Sequence, residues 1–358
     1  MAYTDIDDPA IYFNTVLYTG DIVDGDGTGH DQSITGVGFQ PDFVWHKGRS
    51  HARKHIIVDS VRGTGGGSAM LGISSQDGNA ESNSNTNGWV KSIDSDGITV
   101  TSGNDSSSKS NNAGANGNTY VIWNWKESSI AGFDIVSYTG NSSDGTTVQD
   151  ISHSLSAVPH WIIVKNRADS TNWAVYHKGN TSAPETEVIY LNATNATSDD
   201  SAFFGDTSPT SSQFRVGGDN GVNGNSDAMI AYLWSEKKGF SKFGSFVGNA
   251  SGNGPFIYTG FKPAWIMVKN ASASSTDWYI YDNKRGGPVA SAYGNNNKFF
   301  VKANDGAAEA NETFDIYSNG FKIKITNNFL NGSGNTLIYM AFAESPFVNS
   351  KGIPTNAR

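Results

Sequence analysis

The chain has 358 residues, long enough for two or three domains of ordinary size. A 12% aromatic share is too high for a disordered chain, a 16% charged share is low, and 41 glycines suit turns between many short strands. A net charge of −9 without a Lys/Arg cluster argues against nucleic-acid binding, and the absence of cysteine excludes disulfides, thiolate metal sites and a cysteine nucleophile.

The opening MAYTDIDDPAIYF carries acids where a secretory signal needs basic residues, and no stretch approaches the ~20 apolar residues of a membrane span. The expectation is synthesis in a cytosol, no membrane insertion, and release by a route such as lysis. FNTVLYTGD from Phe13 reads as an alternating strand closed by a glycine turn. The acidic DIVDGDGTGHD, Asp21 to Asp31, offers oxygen ligands for calcium but lacks the fifth-position acid and closing glutamate of an EF-hand loop, so no metal site is assigned.

GFQPDFVWHKGRS from Gly38 follows, then HIIVDSVRG. His46, His51 and His55 lie within ten residues, but their spacing does not match a zinc helix motif and they do not converge on a strand-turn-strand reading. GGGSAMLG around Ser68 lacks the G-x-S-x-G of a nucleophile elbow. Trp89, in GWVKS, stands outside the clearest pattern; SDGITVTSG reads as a turn and strand, and YVIWNWKE ends at Glu127.

The same order then recurs. FDIVSYTGN, VPHWIIVKNRADSTNWAVYHKG, SSQFRVGGDN and MIAYLWSE lead to Glu236. FGSFVGNASGNGPFIYTG, FKPAWIMVKNASASSTDWYIYDNKRGG, SNGFKIKITNN and LIYMAFAE lead to Glu344. Each copy has a proline (Pro41, Pro159, Pro263), an aromatic two residues on (Phe43, Trp161, Trp265) and a lysine six residues on (Lys47, Lys165, Lys269). The lysines are expected to mark where a buried strand meets solvent.

The closing glutamates are 109 and 108 residues apart. We therefore expect an all-β chain of three tandem β-sandwich-like domains, 1–129 with a short N-terminal arm, 130–238, and 239–358 with a C-terminal tail. Trp45, Trp123, Trp125, Trp161, Trp173, Trp234, Trp265 and Trp278 fall on repeated strands, where core or subunit-interface packing accounts for them. Glu127, Glu236 and Glu344 recur at one position and suit a scaffold role better than catalysis; neither they nor Asp94, Asp96, Asp199 and Asp200 form a glycosidase pair. No catalytic residue and no cofactor is assigned. The polar loops between strands read as solvated, and their amides and hydroxyls also suit sugar hydroxyls.

DDPAIYFNTVLYTGD, GVGFQPDFVWHKGRS, VDSVRG, SDGITV and YVIWNWK together resemble a repeat unit of tail-associated virion structural proteins from marine tailed bacteriophages, cyanophage-like in kind. The resemblance implies a non-enzymatic virion protein made in the host cytoplasm, a tail-fibre or tail-tip component contributing to host-surface attachment. It implies other virion proteins as partners, a homo-oligomer with a trimer favoured, and a host surface glycan or protein as the attachment target; aromatic strips and edge strands would then pack between chains. The first repeat begins at about residue 12, which leaves no sizeable attachment domain or shaft in this sequence and argues against autonomous docking of a long fibre; a compact tail tip, a fibre head attached through another protein, or a decoration all fit. The alternatives are a capsid or tail decoration protein without a receptor and, less favoured, a polysaccharide depolymerase.

Overall fold

Aromatic and β-branched residues dominate the repeated runs, and in the computed structural model those runs are strands. The structure describes residues 3–22, 30–67, 69–82, 88–102, 113–286 and 297–355. It is an all-β fold, 45% strand and 6% helix. The α-helices among the described residues are four-residue turns, such as Ser201–Phe204 and Asn220–Asn223.

One strand order occurs three times. In the first unit the opening strand Phe13–Thr19 pairs with the closing strand Thr119–Trp125, which pairs with Phe43–Gly48, which pairs with Ile56–Asp59, all antiparallel. Phe133–Thr139, Ala228–Trp234, Trp161–Asn166 and Ala174–His177 repeat that order. Ser241–Val247, Thr336–Pro346, Phe261–Asn270 and Trp278–Gly286 repeat it again, within an eight-stranded sheet. The first two copies of the central strand begin two residues after their proline. The third begins earlier and passes Pro263 at a register shift, where a residue without an N–H costs no ladder bond.

The inner strands of these main sheets are buried on both faces, which is why they read as continuous apolar runs, whereas the opening strand at the sheet edge is buried in alternation. Along the central strand of the first unit, Val44 faces a cluster shared with Ile98 and Val100 of the smaller sheet. Its neighbours Phe43 and Trp45 face the other way, into a cluster that also holds Trp161, Trp173, Trp265 and Trp278 from the other units. The second and third units behave alike: Ile162 and Val164, or Ile266 and Val268, face a core of their own unit, while Trp161 and Ile163, or Trp265 and Met267, face the shared one.

Each unit thus keeps a sandwich core of its own, and a fourth core joins all three. The eight repeated tryptophans are at most 2% exposed. They pack between units of one chain, so the strips expected between chains are already covered. Truncating one of these indoles to alanine removes roughly 3–5 kcal/mol.

The expectation for the lysines is corrected. Lys47, Lys165 and Lys269 have no exposed surface. Each ammonium is turned onto oxygens of a loop, and those of Lys47 and Lys165 also reach a carbonyl of another unit.

Candidate functional site

Where the three units meet, a ring nitrogen from each reaches a backbone carbonyl of the next. His55 Nε2 donates to Lys302 O at 2.9 Å, Trp173 Nε1 to Ser74 O at 3.0 Å, and Trp278 Nε1 to Tyr190 O at 2.8 Å. Trp45 Nε1 donates to His55 Nδ1 at 2.8 Å, which places the imidazole proton on Nε2. Burial holds the His55 pKa well below its ordinary value, so the ring is neutral.

Charge is distributed less evenly. Between the first and third units, Trp123 donates to Asp282 at 2.9 Å, Asp282 takes Arg285 at 2.6 Å, Arg285 lies 3.9 Å from Glu309, and Glu309 takes Arg49 through two bonds of 2.9 Å. Between the second and first, Tyr232 donates to Asp59 at 2.7 Å, Asp59 takes Arg62 at 2.5 Å, Arg62 lies 3.7 Å from Glu81, and Glu81 takes Arg167 at 2.9 and 2.8 Å. Between the third and second, His177 occupies the aspartate position and donates to Tyr339 O at 3.1 Å, Asn180 stands where Arg62 and Arg285 stand and accepts from the Thr197 hydroxyl at 2.7 Å, and Ala271 stands where Arg49 and Arg167 stand.

The lysines follow the same division. Lys47 donates to Gly306 O of the third unit at 2.9 Å, and Lys165 to Gly78 O of the first at 3.1 Å. Lys269 instead donates to the carbonyl and hydroxyl of Thr276 in its own unit. Burial lowers Lys47 to about 7 and Lys165 and Lys269 to about 8.

One wall of the first–third junction opens into a groove of about 820 Å³, within the ~300–1,000 Å³ range of small-molecule sites. Its walls are the turn around Gln76 and Asp77 from the first unit and the turn Asp305–Ala307 from the third, with Arg53, Asn79 and Trp89 also lining it. Arg53 N–H donates to Gly306 O at 2.8 Å. A Cβ on Gly306 would stand 2.8 Å from Gln76 Oε1, so glycine lets the two turns close on each other. Trp89 lies against Gly72, where a Cβ would meet its ring at 2.1 Å, and donates to Met70 O at 3.0 Å. Lys54 and Asp77 form an ion pair at 2.7 Å. Gln76 Oε1 and Arg53 Nε are buried with no partner among the described residues.

The other residues singled out in the sequence serve the framework. His46 is bonded to the Tyr18 hydroxyl at 2.7 Å, and His51 packs edge-on to Tyr120. Burial lowers their pKa values to about 3 and about 4. The three do not converge, and no group of three metal-ligating side chains occurs among the described residues.

Glu127 and Glu236 each accept from the opening strand of the next unit, at Ile135 N and Phe243 N. Glu236 and Glu344 also pair with Lys178 and Lys262, at 3.2 and 3.0 Å. Asp94 takes the hydroxyls of Ser92 and Thr99, Asp96 takes the amides of Gly36 and Gly38, and Asp200 caps a helical turn at Ala202, while Asp199 sits exposed in a two-residue strand. Ser68 and most of the acidic stretch from Asp21 to Asp31 lie outside the described residues. Sequence reasoning noticed Trp89 only as an outlier and missed Gln76, Asn79 and Arg53, whose sole signal was their place in polar loops that differ between copies.

Residues 8–346 match a protein family described as a domain of unknown function, DUF7483. No curated protein and no solved structure matches the chain. The match runs through all three units and their common core, and the chain belongs to the DUF7483 family.

Proposed function

We propose that this chain is a non-enzymatic structural protein of a tailed-phage virion, tail-associated and contributing to attachment at a host surface. The observation that carries the reading is the use made of the ionisable groups. The aspartates and arginines of two junctions, with Lys47 and Lys165, are buried or half-buried and spent where units meet, and the closing glutamates Glu127 and Glu236 pin strand ends. Such a body suits a rigid particle component better than a catalyst, whose acids must face a substrate. In this reading the segments 1–129, 130–238 and 239–358 act as three modules around one core, other virion proteins hold the chain in place, and the particle carries it as a homo-oligomer.

Mass spectrometry of purified virions with antibody labelling on intact particles tests this. Labelling at the tail is the expected result. Labelling on the head alone overturns attachment in favour of decoration, and absence from virions overturns the whole reading. Release of reducing ends from host polysaccharide by the purified chain would overturn the non-enzymatic assignment.

A further inference from the structure

We propose that the groove between the first and third units binds a neutral oligosaccharide, an assignment that rests on the attachment reading and gives it a site. Trp89 is the first reason. Of the nine tryptophans, eight are at most 2% exposed, whereas Trp89 is half-buried and lines the groove. An indole at the edge of a groove offers a flat apolar surface to the C–H face of a sugar ring.

Hydrogen-bonding capacity is the second reason. Gln76 Oε1 is an acceptor and Arg53 Nε a donor, both buried with no partner among the described residues, and the exposed Asn79 lines the same groove. A sugar hydroxyl donates and accepts at one oxygen, so it would satisfy both kinds of group once those side chains turn into the groove. Charge is the third. The described charged residues of the lining are Arg53, Lys54, Asp77 and Asp305, two of each sign, and Lys54 is paired with Asp77. That balance gives no attraction for a polyanion and no penalty for a neutral polyol.

The walls are also fixed in advance. Arg53 N–H and the Lys47 ammonium both hold Gly306 O, and the paired Arg49 and Glu309 tie the same two units together. A site built in advance spends little binding energy on ordering itself.

The test uses the full chain with cellohexaose, laminarihexaose, maltohexaose and chitohexaose, by calorimetry and by acrylamide quenching of tryptophan fluorescence. Because the other indoles are buried, the quencher-accessible emission comes from Trp89, and a bound sugar should shield it. At least one hexaose should bind, Trp89→Ala should weaken it by about tenfold or more, and Gln76→Ala and Asn79→Ala by about threefold each. The two polar variants leave the Trp89 packing on Gly72 intact and stand if Trp89→Ala fails to fold. Binding by none of the four sugars, binding indifferent to Gln76→Ala and Asn79→Ala, or a preference for acidic polysaccharide overturns the proposal. Virion labelling is independent of these outcomes, so a protein found on the tail whose groove binds no sugar sinks this inference and leaves the attachment reading standing.

Discussion

The first–third and second–first junctions share one chain of four alternating charges, and the third–second junction has the neutral side chains of His177, Asn180 and Ala271 in its place. All three keep the ring N–H to carbonyl contact and the aromatic packing. Shape and burial alone are therefore enough to close a junction. Buried ion pairs stabilise little over a well-packed apolar alternative, and their best-attested use is to fix which surfaces pair. Charging two junctions of three makes the units non-interchangeable, since a unit rotated by one place would set Asp59 or Asp282 against the wrong neighbour.

The largest expected effect breaks a charged junction. Asp282→Ala leaves Arg285 buried without its carboxylate and Trp123 without its acceptor; we expect a loss of about 3–5 kcal/mol in denaturant unfolding. His177→Ala removes bonds to Tyr339 O and Gly179 N and should cost about 1–2 kcal/mol, less than the aspartate change. Equal losses would show that the charged chains do nothing the neutral junction does not.

The lysines extend the contrast. Lys165→Met strips donors from the carbonyls of Gly78, Asn166 and Asp169, at an expected cost of about 2–3 kcal/mol. Lys269→Met uncaps only Thr276 and should cost less by the same measurement.

Strand ends give a smaller effect with a pH signature. Glu236 and Glu344 face lysines, whereas Glu127 is pushed up to about 7 by burial and by a carboxyl hydrogen bond to Asp134. The folded state therefore binds more protons than the unfolded chain between about 4.5 and about 7. This contribution is fully present below that window and lost as pH rises through it. Thermal unfolding should show a decline of about 1 kcal/mol, after allowing for solvent screening of a partly exposed group. Glu127→Gln should flatten it; an unchanged profile would assign the decline elsewhere. Smallest of all, Arg49→Lys loses one arm of its fork on Glu309 and should cost about 0.5–1 kcal/mol, shrinking with added salt.

Much of the framework was legible in residues. The Pro-x-aromatic spacing located the central strands, and the tryptophans on the repeated strands are core. Lys269 was misread because its capping oxygens sit on Thr276, across a loop whose path no local pattern encodes. The groove was illegible for the same reason: Arg53, Gln76 and Asp305 become neighbours only when the first and third units dock.

By itself the sequence determined an all-β chain and three copies of a strand pattern, because side-chain period and turn chemistry act over a few residues. What lies against each face was decided by the tertiary structure. Turning the indole faces of three sheets inward merged them into one core, buried the lysines against neighbouring turns, and placed Trp89 at the edge of a polar groove. Those outcomes depend on contacts between residues far apart in the chain, whose pairing is fixed by shape and desolvation once the units meet.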